Sequence, residues 1–125
     1  MELHQQFAFP LFVRLDDGEV MQVEGYDRIL YRLEAIDIEN DEYLFWDANG
    51  NGVKVLINGS RIAGLQPVNN EMTVQAAISA YANQLGVAVE SSGTPQDTWA
   101  RLLNRKQMIA SRSGLLSRIF RRGPK

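Results

Sequence analysis

The stretch Tyr43-Leu44-Phe45-Trp46-Asp47-Ala48-Asn49-Gly50-Asn51-Gly52-Val53-Lys54-Val55-Leu56-Ile57-Asn58-Gly59 decides how the rest of the chain is read. Its first four residues are apolar on both faces of an extended backbone, which predicts a central strand covered on each side. With one face bare, Phe45 or Trp46 would stand in water, and burying a large apolar side chain is worth about 1.5–3 kcal/mol. Residues 47–52 are dense in types that accept positive φ and predict a turn. Val53, Val55 and Ile57 then share one face of the following strand. Asn58-Gly59 is a strong hairpin signal and leads into a strand from Arg61 to Leu65.

Towards the N-terminus, Phe9 to Leu15 reads as a strand, with Pro10 near its start, where a missing donor is tolerated. Asp16-Asp17-Gly18-Glu19 is a turn and Val20 to Val23 the returning strand. A short helix is expected from about Arg28 to Glu34, with Asp27 as its cap. The alternation of Ile36 and Ile38 with Asp37 and Glu39 then predicts a strand.

Towards the C-terminus, Pro67 to Glu71 marks a boundary. Val74, Ala77, Ile78, Tyr81 and Leu85 fall on one face of an amphipathic helix, capped by Asn70 or Thr73 and stopped at Gly86. Thr94-Pro95-Gln96-Asp97 opens a second helix, expected to run to about Ile109 and to be anchored by Trp99, Leu102 and Leu103. An aspartate stands where the reciprocal cap prefers glutamate.

These elements give an α+β fold. It has an N-terminal five-stranded antiparallel bent sheet or small barrel with one short inserted helix, then two packed helices, then a basic amphipathic C-terminal helix. Residues 1–110 are expected to form one domain, mostly β over 9–66 and helical over 70–110, with 111–125 as a tail.

Composition narrows the function classes. The chain has 125 residues, 45% hydrophobic and 22% charged, as a globular protein does. The lack of cysteine excludes a disulfide framework and a thiolate zinc site. No apolar run approaches the roughly 20 residues that span a bilayer. Met1-Glu2-Leu3-His4-Gln5-Gln6 has neither the basic stretch nor the apolar core of a secretory signal, so a cytoplasmic setting is expected.

Charge is distributed unevenly. All 15 carboxylates lie between Glu2 and Asp97 against five cations, a net −10, while eight cations and no acid follow Asp97. Such a split predicts an interaction arm, or a tail that folds back on its own body.

Several chemistries can be weighed on these residues. Asp47, Asn49 and Asn51 match the opening of a calcium loop, where alternate oxygens converge on the ion around a glycine turn. The match lapses at Asn58, where a bidentate glutamate is required, and a glycine-rich turn explains the stretch as well. Asp37, Glu39, Asn40, Asp41 and Glu42 could hold a hard cation or supply carboxylates for acid–base work, and a solvated turn explains them too. His4 is the single histidine. With no phosphate-binding glycine loop and no dinucleotide fingerprint, neither a catalytic residue nor a cofactor is assigned.

The tail offers the clearest pattern. On a helix, Leu115, Leu116, Ile119 and Phe120 form one arc, and Ser117, Arg118, Arg121 and Arg122 the opposite one. Such a segment can complete its own core, dock in a partner groove, or lie on an anionic membrane. Nucleic acid fits poorly, because the acidic body would repel it and only Trp99 and Phe120 could stack on bases. The expected function is therefore a non-catalytic protein-interaction or regulatory module, acting on another protein or as a homo-oligomer. Its candidate contacts are Leu115, Leu116, Arg118, Ile119, Phe120, Arg121 and Arg122. A carboxylate-based or metal-assisted enzyme around Asp37–Asp47 is one alternative, and peripheral membrane association through the tail another.

Overall fold

A computed structural model describes residues 7–90 and 93–105. Within them, β1 (Leu11–Arg14), β2 (Val20–Val23), β3 (Leu44–Trp46), β4 (Gly52–Asn58) and β5 (Arg61–Pro67) form one antiparallel sheet in the order β2-β1-β3-β4-β5. The sheet is open. β2 and β5 are its two edges and do not pair with each other, so of the two sheet forms expected from sequence the barrel is set aside.

The pleat sends alternate residues of each strand to opposite faces, and both faces are covered. On one side Phe12, Val20 and Trp46 pack with Val74, Ala77, Ile78 and Tyr81 of α3 (Val74–Gln84) and with Trp99 and Leu102. Those last two belong to α4, helical over residues 95–105. The Phe12 and Trp99 rings meet edge to face, 5.8 Å between centroids. On the other side Leu11, Val13, Val23, Phe45, Val53 and Val55 pack with Ile29, Leu33 and Ile38. Phe45 and Trp46 therefore face opposite cores from the middle strand, as two-sided apolarity requires.

The long helices begin and end where their residues dictate. The Thr73 hydroxyl accepts from the Ala76 N–H at 3.0 Å. Gly86, at φ +77°, closes α3: its N–H donates to the Asn83 carbonyl, and the Val87 N–H to the Ala82 carbonyl. At α4 the Asp97 N–H donates to the Thr94 hydroxyl, and the Thr94 N–H donates to the Asp97 carboxylate, each at 3.1 Å. The reciprocal cap thus forms with aspartate. The Thr94 N–H and then its hydroxyl hold the Asp97 carboxyl below the usual range.

The connection between β2 and β3 departs from expectation. A 3-10 turn, Tyr26–Arg28, leads into α1 (Ile29–Arg32), inside the predicted helix. The strand expected at Ile36 and Ile38 is instead α2 (Ala35–Glu39). Alternation misleads here because residues two apart in a helix point about 200° apart. Ile38 is buried, while Ile36 is 61% exposed. Two short helices are therefore inserted, rather than the one expected. The boundary near residue 110 and the amphipathic segment 111–125 lie outside the described residues.

Candidate interaction surface

Asp47, directly after β3, has a buried carboxylate whose two oxygens are both engaged. One accepts from the N–H groups of Asn49 and Asn51, at 3.0 and 2.9 Å. The other accepts from the Ala8 N–H at 3.2 Å and the Asn51 side-chain amide at 3.4 Å. The turn is closed further by the Asp47 N–H to the Asn51 carbonyl, at 2.8 Å. A cation would compete with four N–H donors for these lone pairs. The carboxylate is placed to organise a turn and to pin the segment before β1, while Asn49 and Asn51 reach the surface.

The carboxylates of 37–42 also have separate tasks. Asp37 accepts from the Tyr43 hydroxyl at 3.1 Å, and Asp41, at φ +58°, pairs with Lys54 at 3.3 Å. Burial, then the bond to Asp37 and its charge, push the Tyr43 hydroxyl up to about 12. Lys54, Asp41, Tyr43 and Asn70 border a cleft of about 260 Å³ beside β4. Its polar groups are largely committed to one another, and the Asn70 amide donates to the Phe45 carbonyl at 2.8 Å. Among the described residues no three His, Cys, Asp or Glu side chains converge as a metal site would require.

The outer side of the α1–α2 layer is different in kind. Ile29, Leu33 and Ile38 turn inward, which leaves Tyr31 at 75% and Ile36 at 61% exposure on the solvent side. The Arg28 guanidinium lies over the Tyr31 ring, 5.2 Å from its centroid. Residues 24–42 carry seven carboxylates against Arg28 and Arg32, a net −5. Glu24, Asp27, Glu34, Glu39, Asp41 and Glu42 are all exposed. Two large apolar side chains thus stand in a strongly acidic, helical surface.

The sequence carries one local signal for this surface. Glu34 and Asp37 on either side of Ala35 suit a first helical turn, since carboxylates favour helix N-termini. The alternation of Ile36 and Ile38, which imitates a strand, masks it.

The tail residues Leu115, Leu116, Arg118, Ile119, Phe120, Arg121 and Arg122 lie outside the described residues, as does His4. Among the described residues no helix is long and apolar enough to cross a membrane. Comparison with protein-family models, curated proteins and solved structures finds no match.

Proposed function

We propose that this protein is a non-catalytic interaction or regulatory module that docks through its basic C-terminal segment, residues 111–125. The observation that carries the reading is the separation of charge and apolarity along the chain. An acidic body is followed by residues 106–125, which hold six cations, no acid, and the apolar group Leu115, Leu116, Ile119 and Phe120. A segment of that kind suits a groove or face with apolar anchors and an acidic rim: apolar side chains supply burial, and arginines supply orientation. Support also comes from the body, where each sheet face has its own helical cover.

The test compares the full chain with a chain ending at residue 110 and with L116D/I119D/F120D. Both variants should keep the thermal midpoint to within about 3 °C, because surface changes are usually worth less than about 0.5 kcal/mol. Both should lose the binding partner that the full chain captures. A truncated chain that melts far below the full one makes the segment part of the core and sinks the reading.

A further inference from the structure

We infer that the free run of β4 on its β3 side is a separate docking site, which takes an extended, positively charged peptide segment of another protein as an added strand. β4 spans Gly52–Asn58, yet its pairing with β3 stops at Val53 opposite Phe45. Residues 54–58 then run on for about 15 Å with no strand on that side among the described residues. Two bonds fix which peptide groups face the gap. The Asp47 N–H donates to the Asn51 carbonyl, and the Val68 N–H to the Gly52 carbonyl. Peptide groups alternate in direction along an antiparallel ladder. Gly52, Lys54 and Leu56 therefore turn theirs towards β5, and Val53, Val55 and Ile57 turn theirs towards β3. Val53 meets Phe45. Val55 and Ile57 meet no strand there, although Val55 is buried. A buried peptide group without a partner is costly, and an added strand supplies the partner.

The cleft of about 260 Å³ lies at the start of this free run. Ile38, Phe45 and Val55 line it from one core, and Leu44 and Lys54 from the other face of the sheet. It is therefore a gap between β3 and β4 rather than a hollow on one face. Its side-chain polar groups are taken: Lys54 pairs with Asp41, the Tyr43 hydroxyl donates to Asp37, and the Asn70 amide donates to the Phe45 carbonyl. Main-chain groups remain, and what they recognise is another main chain. The volume also falls below the roughly 300–1,000 Å³ of small-molecule sites. An edge strand of a second folded copy would bring its neighbouring strands into the place where Ile38, Asp41 and Tyr43 stand. A lone extended segment brings none. Charge sets its sign: Asp41 and its exposed chain neighbours Glu39 and Glu42 stand against Lys54, which favours lysine or arginine in the segment. Apolar residues at alternate positions would meet Ile38 and Ile57 on the inner face.

The experiment adds a synthetic eight-residue peptide of alternating valine and lysine to the full-length protein and follows amide hydrogen exchange by NMR. Exchange at Val55 and Ile57 should slow by about tenfold or more at saturating peptide, because both N–H groups enter a ladder. An analogue N-methylated at every residue, and one with glutamate for lysine, should each bind about tenfold more weakly or worse. E39K/E42K should weaken binding of the lysine peptide, as should added salt. Ile57→Pro should abolish binding with little change in thermal midpoint, since it removes an N–H that faces the gap and none that bonds β5. Should that variant misfold, the N-methylated analogue tests the same main-chain contact on the wild type. Unchanged exchange at Val55 and Ile57 up to millimolar peptide overturns the inference. Equal binding of the N-methylated analogue overturns it too. So does slow exchange at both amides in the free protein that quickens in L116D/I119D/F120D, since the chain's own C-terminal segment would then fill the gap. The first two results leave the docking role of residues 111–125 untouched.

Discussion

The two covers of the sheet are built on different principles. α3 and α4 are long enough to carry their own local signals: threonine caps at Thr73 and Thr94, a left-handed stop at Gly86, and aromatic anchors at Tyr81 and Trp99. α1 and α2 have four and five residues, no side-chain cap at either N-terminus, and buried Ile29, Leu33 and Ile38 as their attachment. Helices this short do not hold in water by themselves, because nucleation outweighs the few bonds gained. The first cover is specified locally and then packed. The second exists only because it is packed. A layer of that sort can present an acidic, apolar-studded outer surface, since Ile29, Leu33 and Ile38 secure it from the inner side.

The sharpest way to break this contrast uses neighbours in the sequence that face opposite covers. Trp46→Ala should destabilise by about 4 kcal/mol and Phe45→Ala by about 3, within the range for large aromatic truncations. The order follows from how far each site can collapse around the cavity, and short α1–α2 segments can settle inward more easily than α3. Urea midpoints of the two variants decide it, and a larger loss for Phe45→Ala would reverse the assignment. Next in size is Asp47→Ala, which strands the N–H groups of Ala8, Asn49 and Asn51. A loss of about 2 kcal/mol is expected by the same titration, because part-buried backbone donors lose a charged acceptor. Asp47→Asn should lose less.

A smaller effect sharpens the comparison from the locally coded side. Thr73→Ala removes the acceptor for Ala76 and should lower stability by about 1 kcal/mol. Removing the exposed Glu34 side chain at the N-terminus of α2, which makes no cap bond, should change stability by less than about 0.5 kcal/mol. The last effect is absent at neutral pH and appears only in alkali. With the Tyr43 hydroxyl raised to about 12, the folded protein keeps this proton after the unfolded chain has lost it. Its contribution is therefore fully present below about pH 10 and is lost as pH rises towards 12. Urea midpoints measured across that window should fall, and Tyr43→Phe should flatten the fall.

Most of the sheet was legible because its signals are local and agree with one another. Two-sided apolarity at Phe45 and Trp46, the turn residues 47–52, and the period of Val53, Val55 and Ile57 all predict the observed strands. The same agreement holds for α3, from Thr73 to Gly86. Legibility failed at Ala35–Glu39, where a helix of five residues is too short to show a 3.6-residue period. Two isoleucines at alternate positions there imitate a strand, and only tertiary packing on Val53 and Val55 decides otherwise. The candidate surface was lost with it, because Ile36 cannot be both a strand's core residue and an exposed foothold. The roles of Asp47 and Asp37 were hidden for another reason. A carboxylate's task depends on which donors surround it, and Ala8 lies 39 positions before Asp47.

The strand order also governs how the chain can assemble in time. β1–β2 is one hairpin, and β3–β4–β5 is a meander whose strands follow one another directly. A single pairing, Phe12 with Trp46 and its neighbours, joins these two pieces across a long intervening segment. Closing that segment is where chain entropy is lost in one step, so the kinetic bottleneck should sit at the seam between β1 and β3. Substitutions there should slow refolding, whereas those at the β4–β5 tip should mainly hasten unfolding.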